Sequence, residues 1–176
     1  MSVNIQHKIR LDLLEMYERL TRYTSLRART MPEAMDVIIV TESDYATVNP
    51  LMRLALGRLS DDIGSLSAFD LSGLDALTAS GLEDWKLKIV EGAEDLSKVI
   101  AIYNLPGEQQ EGYVSAVHEF MYEAVVNEVL SRWYKHLGFY DLAALCEQDY
   151  LQGVRQIRNT TPRWKTASST RRFVGL

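Results

Sequence analysis

The chain has a single cysteine, Cys146, and only three histidines, His7, His118 and His136, among its 176 residues. One cysteine excludes an intrachain disulfide, and with three scattered histidines it excludes a closed structural zinc site of the usual ligand spacing. Proline is also scarce, at four residues, and no stretch has the composition of a linker between two domains. No uninterrupted apolar run approaches the roughly 18 residues that a membrane-spanning helix needs, and Met1-Ser-Val-Asn4 lacks the apolar stretch of a signal peptide. The sequence therefore predicts no membrane partner and a reducing compartment, the cytoplasm. Catalytic signatures are missing as well. There is no GxSxG, no P-loop, no GxGxxG after a strand, no HExxH and no EF-hand loop.

The totals are those of a packed protein: 47% hydrophobic, 24% charged and 9% aromatic residues, on a chain long enough to bury about two thirds of its unfolded surface. The net charge of −5 is unevenly spread. From Gln152 to Leu176 there are six basic residues and no acid, which leaves 13 basic and 24 acidic residues before them, a net −11. Such asymmetry marks an interaction segment whose natural targets are nucleic acid or an acidic protein surface.

Hydrophobic periodicity predicts a mainly α fold: a bundle of about four helices with a small two-stranded β-hairpin and an extended C-terminal arm. Ile5, Ile9, Leu13, Met16 and Leu20 recur at helical spacing and predict a first helix over 4–23. Thr24 to Asp36 reads as an irregular excursion presenting Arg27 and Arg29. Val37 to Val40 is too short to classify. Thr41-Glu-Ser-Asp44 looks like a helix start, Pro50 should kink or restart that helix, and Met52, Ala55, Leu56, Leu59, Ile63 and Leu66 continue its apolar stripe. The segment 70–84 has no clean period. Trp85–Val90 and Lys98–Tyr103 read as the two strands of the hairpin, near 85–104. A long helix from about Gln109 to Leu137 should bury Tyr113, Val117, Phe120, Met121, Ala124, Val125 and Trp133, with Gly138 ending it in a left-handed conformation. A last helix, Tyr140 to Arg158, carries Leu142, Leu145, Cys146, Tyr150, Val154 and Ile157 and should pack antiparallel to it or at a steep angle. The domain is then 1–158, and the arm 159–176.

Few residues suggest chemistry. Helical carboxylate metal sites use Glu-x-x-His, whereas His118 directly precedes Glu119, so the two side chains diverge by about 100° around the axis. The sequence therefore implies no metal, no cofactor and no catalytic residue, and His118 reads as a solvated or interface residue. Adjacent acids such as Asp61-Asp62, Glu83-Asp84 and Glu94-Asp95 read as solvated faces. Cys146 lies on an apolar stripe and reads as a small core hydrophobe; Trp133-Tyr134 reads as packing. The basic segment is different, because it interleaves large apolar residues with cations. Arg155, Arg158, Arg163, Trp164, Lys165, Arg171, Arg172 and Phe173 are the expected contacts of an arm docked on a neighbour, with Arg27 and Arg29 as a second contact in the early loop.

Tyr23-Thr-Ser-Leu-Arg-Ala-Arg29, Val40-Thr-Glu-Ser-Asp44 leading to Leu59-Ser-Asp-Asp-Ile63, and Ala124-Val-Val-Asn-Glu-Val-Leu-Ser-Arg-Trp-Tyr134 together carry a resemblance to the head-tail connector or ring proteins of tailed bacteriophages, of the Bacteroides-type phage and prophage kind. The proline ending the expected hairpin, in Tyr103-Asn-Leu-Pro106, and the basic C-terminus belong to the same look. The acidic stretch from Asp70 to Asp84 departs from it. The resemblance implies a non-enzymatic virion protein of the neck or tail region. Such proteins form a homo-oligomeric ring, often twelve-fold, that extends the portal channel, meets portal and tail or neck proteins, and lets DNA pass without sequence-specific binding. An acidic lumen suits sliding DNA, and a body of net −11 discourages direct phosphate binding. The other reading of the residues is a soluble bacterial helical adaptor or regulator acting through protein contacts; no helix-turn-helix with a basic recognition helix supports it.

Overall fold

The computed structural model describes residues 7–63, 99–105 and 111–160. Among them the chain is mainly helical: strand β1 (His7–Asp12), helix α1 (Leu13–Ala28), a 3-10 turn (Pro32–Ala34), the one-turn helix α2 (Met35–Ile38), a second 3-10 turn (Glu42–Asp44), helix α3 (Tyr45–Ile63), strand β2 (Val99–Leu105), and the long helices α4 (Glu111–Leu137) and α5 (Tyr140–Thr160). The helical-bundle expectation holds. No helix among the described residues is long and apolar enough to cross a membrane.

The first expected helix is split. Residues 7–12 are a strand, not a helical turn, and pair antiparallel with β2 from His7 opposite Leu105 to Asp12 opposite Val99, with an irregularity between Leu11 and Asp12. A spacing of four satisfies both a helix and an even-numbered strand repeat, so Ile5, Ile9 and Leu13 could not tell the two apart. The shorter pattern decides: Ile9 and Leu11 are buried and Arg10 between them is exposed. Asp12 then starts α1, its carboxylate accepting from the backbone N–H of Leu14 at 2.8 Å and of Glu15 at 3.4 Å. The second expected hairpin strand is present at 99–105, but its partner in the structure is β1. Trp85–Val90 and the turn after it lie outside the described residues, as do Ile5, Leu66, residues 70–84 and the side chain of Tyr113.

Thr24 to Ala28 is helix, not loop. Thr24 is fully buried; its hydroxyl donates to the Leu20 carbonyl at 2.8 Å and accepts from the Val40 N–H at 3.1 Å. The Thr21 hydroxyl donates to the Val40 carbonyl at 3.1 Å. Two threonines thus satisfy both backbone groups of Val40 and seat the connector between α2 and α3 on α1. Asp44 caps the turn ahead of α3, accepting from the Thr41 N–H at 2.9 Å and hydroxyl at 2.7 Å. Helix α3 continues through Pro50 and does not restart there, and it buries Val48, Met52, Ala55, Leu56, Leu59 and Ile63 as one stripe.

Helix α4 is the centre of the bundle. Val117, Met121, Tyr122, Ala124, Val125, Val126, Val129, Leu130, Trp133 and Tyr134 are all buried, so apolar residues cover it nearly all round, and α1, α2, α3, α5 and β1 pack against it. Phe120, expected to be buried, is only partly so. Gly138 has φ +84°, and the bonds Phe139 N–H to Tyr134 carbonyl (2.8 Å) and Gly138 N–H to Lys135 carbonyl (3.2 Å) close α4 in a Schellman motif, as the glycine predicts. Helix α5 returns antiparallel: a Cβ at Gly153 would lie 3.3 Å from Ala124 Cβ, while Lys135 bonds Glu147 at 3.0 Å. Its buried face is Ala143, Cys146, Tyr150, Gly153, Val154 and Ile157. Leu145, expected on that face, is 40% exposed.

Candidate functional site

Two arginine-centred clusters tie the helices together across the described residues. Arg19 of α1 reaches across to α4. Its Nη1 donates to Glu119 at 2.8 Å and Glu123 at 2.9 Å, and its Nη2 donates to Glu119 at 2.8 Å and Glu15 at 2.7 Å. The guanidinium also lies 4.7 Å from the centre of the Tyr122 ring, and the Tyr23 hydroxyl donates to Glu123 at 2.8 Å. The hydrogen bond from Arg19 holds the Glu119 carboxyl below the usual glutamate range. Glu119 and Glu123 are therefore committed to a cation of the same chain. His118, beside them in sequence, donates from Nε2 to the Arg10 carbonyl at 3.2 Å and meets the Tyr122 ring edge-on at 4.8 Å. Among the described residues no group of three or more acids, histidines or cysteines is placed to hold a metal ion.

The second cluster joins α3, α4 and α5. Arg58 Nη1 donates to the buried Glu128 at 2.6 Å, its Nη2 reaches Glu147 at 3.3 Å, and its guanidinium sits 4.5 Å from the Tyr150 ring centre. Arg132 donates to the other oxygen of Glu128 at 2.7 Å, and the Tyr150 hydroxyl donates to Asp62 at 2.6 Å. Asp62, read from sequence as a solvated acid, is thus a partner in this network. A lone buried carboxylate would be strongly unfavourable; two guanidinium groups make this one tolerable.

A cavity of about 160 Å³ lies between α1, α4 and α5, bounded by Tyr23, Arg27, Asn127, Tyr134, Cys146 and Asp149. Burial pushes the Cys146 thiol up to about 11 and the Tyr134 phenol up to about 12, with Arg27 pulling each back. The thiol therefore stays protonated and packs as a core side chain, as its place on the apolar stripe predicts.

The fourth feature lies open at the corner where α4 turns into α5. Met31, Gly138, Phe139, Tyr140, Asp141 and Leu142 line a mainly apolar groove of about 360 Å³. Tyr140 is 70% exposed, and Met35 and Val37, on the segment that follows Met31, are 47% and 54% exposed. The sequence reading passed over this corner. Its signal was Gly138-Phe-Tyr140, two aromatic residues placed at a tight helix turn where they cannot both face inward.

The expected interaction residues are scattered. Arg155 and Arg158 belong to α5, not to an arm, because the helix runs to Thr160; both are exposed, and Arg158 donates to the Asp62 carbonyl. Arg27 is half-buried in the cavity wall, not free in a loop, while Arg29 is exposed at the end of α1. Arg163, Trp164, Lys165, Arg171, Arg172 and Phe173 lie outside the described residues. No protein-family model matches the chain, and neither a curated protein nor a solved structure matches it.

Proposed function

We propose that this chain is a non-enzymatic assembly subunit of the head-tail connector or ring type found in tailed bacteriophages, acting in the virion neck by joining copies of itself between portal and tail components. The observation that supports the reading best is the open apolar groove at the α4–α5 corner, lined by Met31, Phe139 and Leu142 together with Tyr140, which is 70% exposed. Large apolar side chains gathered on one surface mark a protein contact more often than a reaction site. Among the described residues, Glu119 and Glu123 are engaged with Arg19, Glu128 with Arg58 and Arg132, and Cys146 lies in the core. The basic segment at the end of the sequence is a second, chemically different candidate contact, and two unlike contacts on one chain give head-to-tail assembly, which forms a ring when the rotation closes.

Native mass spectrometry with negative-stain imaging tests the reading. Closed rings of the purified chain are the expected result. A monomer at every concentration, or turnover of a small molecule by the pure chain, would overturn it.

A further inference from the structure

We infer that the α4–α5 corner groove receives the Arg163-Trp164-Lys165 segment of a second copy of this chain, an inference that rests on the assembly reading above and names its junction. The groove is apolar on its floor, through Met31, Phe139 and Leu142, and has room for one large aromatic side chain. Its wall holds one exposed acid, Asp141; along the sequence Glu33 and Asp36 follow Met31, Arg29 precedes it, and Lys135, just before Gly138, is tied to Glu147. Trp164 with a cation on either side matches this, an apolar anchor for the floor with a charge for Asp141.

Chain reach decides which copy supplies it. The groove sits at the first turn of α5 and the basic segment leaves from its last turn; the helix Tyr140–Thr160 separates them by roughly 30 Å at 1.5 Å per residue. Trp164 is four residues beyond Thr160, a distance that an extended chain covers in roughly 14 Å at most. Even with the length of its side chain added, Trp164 falls short of the groove of its own molecule. The segment that fills a groove therefore comes from another copy, and when each copy's groove takes the segment of the copy before it the contact is head-to-tail.

A mixing experiment tests this with the full-length chain. One variant carries Tyr140→Ala and Asp141→Lys, both at exposed positions; the other carries Trp164→Ala; circular dichroism establishes that each is folded. In sedimentation velocity each variant alone should require a concentration more than about tenfold higher than wild type to assemble, the loss expected of a buried aromatic anchor. Mixed in equal amounts they should form pairs and go no further, since the Trp164→Ala chain retains an intact groove and the other retains an intact segment. Wild-type assembly by either variant would overturn the inference while leaving the assembly reading in place, and so would loss of assembly in both without pairing on mixing. A wild-type chain that never assembles would remove the assembly reading itself, and this inference with it.

Discussion

The Glu128 carboxylate is the most exacting place to test the account of the interior. Its side chain is 2% exposed and holds Arg58 at 2.6 Å and Arg132 at 2.7 Å, one on each oxygen. Glu128→Gln keeps the shape and removes the charge. The amide oxygen can still accept from one arginine, but the amide NH₂ then faces the other, donor against donor. Truncating one partner of a fully buried ion pair costs roughly 3–5 kcal/mol. Here the arginine side chains are 30% and 33% exposed and can recover water, so a loss of about 2–3 kcal/mol is expected, between a single charged hydrogen bond and a stranded buried charge. For a chain of this length that lowers the melting temperature by roughly 4–12 °C. Urea unfolding followed by circular dichroism measures it, with an unchanged slope showing that stability and not compactness has moved. A loss below about 0.5 kcal/mol would mean that the two arginines do not depend on Glu128, and the reasoning would fail.

Three further outcomes follow from other contacts. Cys146, with its thiol raised to about 11 by burial, should resist iodoacetamide in the native protein near neutral pH and react fully in urea; fast native labelling would contradict its packing. Gly153→Val should destabilise by about 1–3 kcal/mol in thermal melts, because a Cβ there already meets Ala124 Cβ at 3.3 Å and a branched side chain cannot be admitted without parting α4 from α5; unchanged stability would show that the helices pack farther apart. Glu119 and Glu147 are both held below the ordinary glutamate value of 4.5, mainly by hydrogen bonds from Arg19 and Lys135, so the stability they contribute is complete above that value and is lost as pH falls through their depressed folded-state values. Urea midpoints measured across that acid range should fall for wild type and fall less steeply for Arg19→Met, which has already lost its part.

The long elements were legible because each carries a stripe that only one period satisfies. Met52, Ala55, Leu56, Leu59 and Ile63 could be buried together only on a helix, and Gly138 marked where α4 had to stop. The misreadings came from patterns that two structures share. Ile5, Ile9 and Leu13 fit a strand as well as a helix, and the polar run beginning at Thr24 looked like a loop because a buried threonine that satisfies the backbone of Val40 leaves no hydrophobic trace. Arg58 and Glu128 are 70 positions apart, and nothing local announces that one will neutralise the other. The corner groove was hidden for a related reason: Met31 and the Gly138–Leu142 turn become neighbours only when α2 packs on α4 through the bond from the Trp133 indole N–H to the Ile38 carbonyl at 3.0 Å.

The charge partition takes on a sharper meaning with the clusters in place. Arg19, Arg58, Arg132 and Lys135 in the body are each bound to one or more carboxylates of the same chain, so they offer little to an outside anion. The cations in the last part of the sequence have no acid beside them in sequence and lie on or follow a helix whose far end carries the apolar groove with Asp141 in its wall. Had nucleic acid been the target, the free positive charge should lie on the rigid body, where several phosphates could be met in register. The body does carry exposed Arg10, Arg22, Arg29 and Arg155, but the four cations that follow α5 in sequence, Arg163, Lys165, Arg171 and Arg172, are interleaved with Trp164 and Phe173, which suits a groove that takes an aromatic side chain and two charges. Raising the salt concentration then separates the alternatives: a contact anchored by a buried indole weakens modestly, whereas one made by counterion release from phosphates collapses steeply.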